Sequence, residues 1–590
     1  MSRTRRGIGL LLCLTLIASM AAGCGSTPGD DASSTASQAA TTAEASATPQ
    51  ASSAETTTAS EEAATPSYPP SNNFTKFDPP ITITTAIALR DSDSLRFNDT
   101  IEDNPVTRWY RDTMGIIEKF HWQLTDTNDA MKTKIQLALA SGEELPDVLY
   151  ITDKTVFSNL IEADMIQPID EAYEKYATER VRKAFDNNSI VWTTVLQDGK
   201  KWGLPQIADG YVGSTTMWIR QDWLDAVGMK APTTIQEFEQ VLEAFTNKDP
   251  DKNGVNDTYG VAVGGNAGYQ QPLRGWMGDL CFVFGQQQPY SWLKGDDGKL
   301  YYGSTSPVVK DGLSVISGWL GKGFMSKDFG TQGPSDAAAE FAAGKAGIFF
   351  GPGWCGGWPI GNAVSDAKAK GLTFDAQPYP IPSGVTGEVG RMGSEMSYGK
   401  YVFRKGFEHM DAIFQLWDIS FGQWIEDPEF PFAAGFGEGY DFVMKDGEPS
   451  WDIPDGMLEI GRYQILNSGN TPPGSMEGPN IWQRVAAGKA DTIYEKKAKA
   501  MNGELAVKGF STVFGQLDKD VPILFYGLAT PTMKEKEADL KVLDEATQLK
   551  IIYGEAAIDT FDTFVTEWTN GGGAEITKEI NAWYEQAAMK

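Results

Sequence analysis

The sequence has 590 residues, with 79 acidic side chains against 50 basic ones and a formal net charge of −29. That balance repels phosphate backbones and anionic lipid surfaces, which argues against nucleic acid as a partner. With two histidines in the whole chain, His121 and His409, a Ser-His-Asp triad or a histidine-rich zinc site is equally disfavoured.

The chain is longer than the ~250–300 residues at which single cores stop growing, so more than one compact unit is expected. It opens with Arg3, Arg5 and Arg6, an apolar run from Ile8 to Ile17, and small residues up to Gly23, the pattern of a signal peptide over 1–23. The apolar run is short for a bilayer span. Ala21-Ala22-Gly23-Cys24 resembles a bacterial lipobox, in which the cysteine is lipidated, although Ala21 stands where leucine is usual. Secretion with cleavage at a nearby small residue is the alternative. Residues 25–71 are Ser, Thr, Ala and Pro with almost no large apolar side chain, so 24–75 is read as a lipid-anchored, disordered tether. Cys281 and Cys355 remain as either a disulfide or two separate thiols.

From about Pro79 strand-like and helix-like segments alternate. ITITTAIAL (81–89) is a β-branched strand. DAMKTKIQLALASG is a helix stopping at Gly142, and LPDVLYIT (145–152) is a short apolar strand. Thr234 and Glu237 have capping-box spacing ahead of a helix whose Ile235, Phe238, Val241, Leu242 and Phe245 share one face. DAAAEFAAGKAGIFFGPGW reads as helix, glycine stop, strand and turn. Ile558, Phe561, Phe564, Val565 and Trp568 form a last apolar face, closed by the three glycines 571–573. Such alternation gives an α/β fold with ligands at strand ends.

In that order, LASGEELPDVLYIT, WGLPQIADGYVGSTTMWIRQDWLDAVGMKAPTTIQEFEQVLEAF, FAAGKAGIFFGPGW and AAIDTFDTFVTEWTNGGGAEITKEINAWYEQ resemble the extracellular solute-binding proteins (family 1 type) of carbohydrate ABC importers. The match is to the Gram-positive lipoprotein type and is similar to alginate-oligosaccharide-binding members. The resemblance implies a two-lobe, type II periplasmic-binding-protein-like fold with the ligand cleft between lobes. Lobe I would comprise 76–207 and 380–425, and lobe II 208–379 and 426–590, with crossings near 205–212 and 375–384. It implies a monomer on the outer face of the cell membrane, closing by hinge motion on an oligosaccharide or other small polar solute. It also implies membrane permease subunits and a cytoplasmic ATPase as partners.

In GPGWCGGW, Trp354 and Trp358 stand on a glycine-rich turn after a strand, where an aromatic face can stack on a sugar ring. Asp153 and Lys154 resemble the family's ligand-facing loop. Tyr211 lies beside the first crossing, Trp276 and Trp292 in glycine- and proline-rich loops, and Glu395 where the chain re-enters the first lobe. For the aromatic residues the alternative is core packing, and for Asp153 and Lys154 a solvated surface pair. A glycosidase using a carboxylate pair is the competing function, but no serine elbow, HExxH helix or Walker loop is present. In DPDKNGVNDTYG, the side chains of Asp249, Asp251, Asn253 and Asp257 and the Val255 carbonyl have the spacing of a calcium loop, with Gly254 at the turn. Gly260 replaces the usual twelfth-position Glu, so a structural Ca2+ is expected from half a motif, with a metal-free Asx-rich turn as the alternative.

Overall fold

The computed structural model describes residues 69–588, apart from 70, 72, 91–94, 128, 209, 266–270, 394–396, 423–431, 455, 459 and 467–477. The signal peptide, Cys24, the tether as far as residue 68, and Glu395 lie outside these residues. The end of the expected tether belongs to the fold. Phe74 meets Trp109 edge-on at 5.8 Å, and the Thr75 N–H donates to Gln415 Oε1 at 2.8 Å.

The strand Ile81–Leu89 buries Ile83, Thr85 and Ile87 at every second position. It pairs in parallel with Ile116–Thr125. Beside this pair lies a three-stranded sheet in which Lys400–Phe403 is central, antiparallel to Val148–Ile151 and Leu204–Pro205. Thr84 joins the two, its N–H and hydroxyl donating to Asp147 Oδ2 at 2.9 and 2.8 Å. Ile83, Tyr110, Phe185, Phe403 and Trp417 centre the first core. Phe432, Tyr440, Tyr463 and Val485 are buried in that same core, although the sequence grouping puts 426–590 with 208–379. Hydrogen bonds fasten Tyr440 there: its hydroxyl lies 2.6 Å from Asp99 Oδ2 and donates to the Arg96 carbonyl at 2.7 Å.

The second sheet has the order Ala376–Tyr379, Thr215–Arg220, Ala346–Pro352, Tyr259–Ala262. Its last two strands are parallel and the other pairs antiparallel. The helix Ile235–Asn247 lays Phe238, Val241, Leu242 and Phe245 into the core behind it. Thr234 caps it by accepting from the Glu237 N–H at 3.2 Å, while the Glu237 carboxylate reaches back to the Thr233 N–H at 2.8 Å. The glycines at 571–573 close the last apolar helix: within the π-helical turn Thr569–Gly573, Gly572 at φ +132° kinks the chain before the next helix, Ala574–Ala588. A Cβ on Gly573 would lie 2.3 Å from the Trp568 ring, so this glycine makes room for that ring.

Three stretches join the two cores. Residues 206–214 lead from the first three-stranded sheet to the second sheet. The return begins only after Tyr379, because Ala376–Tyr379 is still paired with Thr215–Arg220. The third is the helix Ile493–Phe514, which starts against the first core and is broken at Gly503, with φ +73°. The returns meet at one point: Arg391–Met392 pairs in parallel with Asp520–Val521. There the Arg391 guanidinium, 1% exposed, bonds the Asp520 carboxylate and donates to the Val513 carbonyl at 3.0 Å. The Ser214 hydroxyl adds the first crossing, donating to Asp520 Oδ2 at 2.9 Å. Among the described residues no helix is long and apolar enough to cross a membrane.

Candidate ligand site

The strands 81–89, 116–125 and 148–151 end around a cavity of about 350 Å³. The carboxyl ends of strands are where open α/β sheets place ligands, and this volume falls in the range of small-molecule pockets. Its rim is polar and paired. Arg90 Nε lies 2.9 Å from Asp126 Oδ2, Lys132 Nζ lies 2.8 Å from Asp153 Oδ2, and Arg462 Nη2 donates to the Ala88 carbonyl at 2.7 Å. Asp153 also caps the helix Lys154–Glu162, accepting from the Val156 N–H at 2.8 Å. Burial pushes its carboxyl up, but Lys132 and that amide together hold it below the usual range. The floor includes Tyr150, whose hydroxyl donates to Gln206 Oε1 at 2.6 Å, at the start of the first crossing.

A second cavity of about 100 Å³ shares Thr152 with the first. Lys154, Thr194 and Lys400 line it from the first core's side, and Phe525 and Tyr526 from the segment after the third crossing. Burial, with the Lys154 charge nearby, pushes the Lys400 ammonium down to about 7.

Beside the first crossing stands a ladder of three indoles. Trp354 lies 5.4 Å from Trp276 and 6.4 Å from Trp358, centroid to centroid, the latter pair inclined by only 15°. Trp354 is the fixed middle rung, its Nε1–H donating to the Val212 carbonyl at 3.1 Å. Trp358 is the outer rung, 48% exposed. The glycines of this turn let the helix 493–514 in. A Cβ on Gly353 would lie 2.7 Å from the Phe510 nitrogen, and one on Gly356 2.4 Å from the Ala506 nitrogen. Tyr211, Phe510, Phe514 and Trp482 close the seam, with Trp482 stacked on Phe510 at 4.1 Å.

Two such groups of strands and helices, joined by three crossings, with one cavity at the strand ends of the first and a smaller one between it and the segment after the third crossing, have a clear counterpart. Residues 119–418 match the family described as bacterial extracellular solute-binding protein. The chain belongs to that family. This solute-binding protein is 24% identical over 464 residues to the lipoprotein LipO of Bacillus subtilis (strain 168), covering 77% of its own chain and 84% of LipO. It is 23% identical over 491 residues to the polygalacturonan/rhamnogalacturonan-binding protein YtcQ of the same organism, covering 79% and 85%. The structure of the S. pneumoniae ABC-transporter substrate-binding protein FusA in complex with kestose shares its fold, with TM-score 0.60 at 17% identity, covering 86% and 100%. The fold is the two-lobe, type II periplasmic-binding-protein one.

In the solute-binding protein, Asp153 lines the larger cavity and Lys154 the smaller, so these neighbours face two spaces. Trp354, Trp358 and Trp276 come together in the ladder. Tyr211 is buried against Phe510 and Phe514, at the crossing. Trp292 is drawn elsewhere, against Tyr302 and Trp568 of the second core. Its strand, Trp292–Lys294, pairs with Leu300–Tyr302 and turns the ring onto the C-terminal helices. Cys281 and Cys355 are separate buried thiols.

The acidic loop keeps its expected turn, with Gly254 at φ +80°. Its side chains close on one another. Asn253 Nδ2 donates to Asp251 Oδ2 at 2.8 Å and Asp257 Oδ1 at 3.1 Å, while the Gly254 N–H donates to Asp249 Oδ2 at 3.0 Å. Burial and the neighbouring Asp249 and Asp257 carboxylates hold the Asp251 carboxyl above its ordinary range. The oxygen donors suit a hard cation, but the Asn253 amide points its NH2 into them. Among the described residues no group of three or more His, Cys, Asp or Glu is set to hold a metal.

Proposed function

We propose that this solute-binding protein captures an oligosaccharide between its two lobes and delivers it to the permease subunits of an ABC importer. The observation that carries the sugar reading is the indole ladder, whose outer ring at Trp358 offers an apolar face beside the inter-core crossing. A sugar ring presents a C–H face to such a surface and hydroxyls to polar groups, several of which rim the 350 Å³ cavity of the first lobe. The name of YtcQ, a polygalacturonan/rhamnogalacturonan-binding protein, and the kestose in FusA support a carbohydrate. We assign the lobes by core: 76–207 with 400–500, and 214–392 with 520–588. Cys24 carries the lipid anchor that keeps the body at the outer membrane face, as the LipO relationship supports. Ca2+ held by Asp249, Asp251, Asp257, the Val255 carbonyl and a turned Asn253 amide staples the loop after the helix 235–247. The protein acts as a receptor without turnover.

Calorimetric titration of a panel of neutral and acidic oligosaccharides, run beside an assay for sugar release, tests this. Saturable binding without release supports the receptor, and steady hydrolysis overturns it. Trp358→Ala should weaken binding by about 1–3 kcal/mol, the worth of burying a large apolar face, or roughly five- to a hundredfold. Unchanged affinity in a folded variant would remove the ladder from the site.

A further inference from the structure

The smaller cavity has a composition at odds with the rest of the chain. In a sequence with 79 acidic residues, two of the described side chains that line it are lysines and, among the described residues, none is Asp or Glu. The adjacent acid, Asp153, is engaged elsewhere, by the Lys132 ammonium and the Val156 N–H, each at 2.8 Å. Lys400 is 3% exposed. Among the described residues its ammonium makes one hydrogen bond, a long one of 3.4 Å to the Thr194 carbonyl, and lies 4.7 Å from the Phe157 ring centroid. An ammonium carries three donors, and a buried one needs a compensating anion. Lys154, exposed on the other flank, holds its ammonium 4.9 Å over the Phe525 ring.

We infer that this cavity receives a carboxylate of the ligand, with Lys400 and Lys154 as its cationic partners, so that the ligand is an oligosaccharide bearing a uronic acid. The inference rests on the oligosaccharide reading, because the small cavity adjoins the larger one, with Thr152 lining both. A carboxylate has two oxygens, one for each ammonium. Tetrahedral sulfate and phosphate groups are better matched by guanidinium forks or nests of backbone N–H, and among the described residues no arginine lines the cavity. The charged groups acting on Lys400 are Lys154 and Asp153, and Glu537 in turn faces Lys154. A ligand carboxylate adds the negative charge that Asp153 gives to Lys132.

The test is calorimetry with digalacturonate and a neutral galactose disaccharide, on the wild type, Lys400→Met and Lys154→Gln. The acidic sugar should bind at least tenfold tighter to the wild type. That ratio should fall at least tenfold in Lys400→Met and by a smaller factor in Lys154→Gln, whose exposed site leaves folding unaffected. At pH 8, heats in buffers of different ionisation enthalpy should show proton uptake with digalacturonate in the wild type and none in Lys400→Met. Equal affinity for both sugars, or a preference that survives both substitutions, would overturn the carboxylate site alone. Absence of heat with every sugar would overturn the oligosaccharide reading and the site with it.

Discussion

Replacing Lys400 by Met in the ligand-free protein should make it more stable at neutral pH and erase a pH dependence. The folded ammonium titrates near 7 against 10.5 for an ordinary lysine. A shift of that size corresponds to roughly 3–5 kcal/mol, at about 1.4 kcal/mol per pKa unit. Between the two values the unfolded chain holds the proton and the folded chain does not, so stability rises with pH across that window. The contribution is fully present above the unfolded value and is lost as pH falls through the folded one, where the buried side chain becomes charged. Met fills nearly the same volume without a charge. Urea midpoints measured at intervals from pH 6 to 10 should therefore climb in the wild type relative to the variant, with the variant more stable at the low end. Subtracting the two profiles cancels other groups titrating in that range, such as Asp279, which burial pushes up to about 7. Parallel profiles for the two proteins would refute a buried ammonium at Lys400.

Gly356→Ala should destabilise by roughly 1–3 kcal/mol in thermal unfolding, because the new Cβ meets helix backbone that cannot rotate away. Gly318→Ala, inside the helix Pro307–Gly321 with nothing within 4 Å, should instead stabilise by about 0.5–1 kcal/mol. Arg391→Met should cost about 2–4 kcal/mol by leaving the partly buried Asp520 carboxylate with the Ser214 hydroxyl but without its guanidinium. Pairing it with Asp520→Leu should recover much of that loss in urea denaturation. Calcium at a hundred times its dissociation constant should raise stability by about 2.7 kcal/mol, and Asp251→Ala should abolish that gain.

Local signals were legible in the chain. The period-two run at Ile81–Leu89, the stop at Gly142 and the Thr234 cap appear where their spacing puts them. The indole ladder was half legible: a Gly-rich turn after a strand marks Trp354 and Trp358, but the glycines serve helix packing as much as exposure. Trp276 joins through a contact across 78 positions, for which no spacing rule exists. The same holds for Arg462 and Lys400, which reach the cavities by sheet pairing and core packing. The segment 432–485 was misplaced because its apolar residues have no periodicity that names a partner, and its anchor is a tyrosine hydroxyl on Asp99. The triple glycine near the C-terminus reads as a stop by propensity, and the chain does kink there, at Gly572.

The meeting of Arg391, Asp520 and Ser214 bears on how tightly such a receptor can hold its ligand. Two bodies on a single flexible connection sample many mutual orientations, and capture must select one of them, which lowers affinity by the fraction that is competent. Three connections fastened at one ion pair leave chiefly one rotation between the bodies. Most of that selection is then made when the chain folds, before any ligand arrives, so even a modest set of contacts across the opening can produce firm capture.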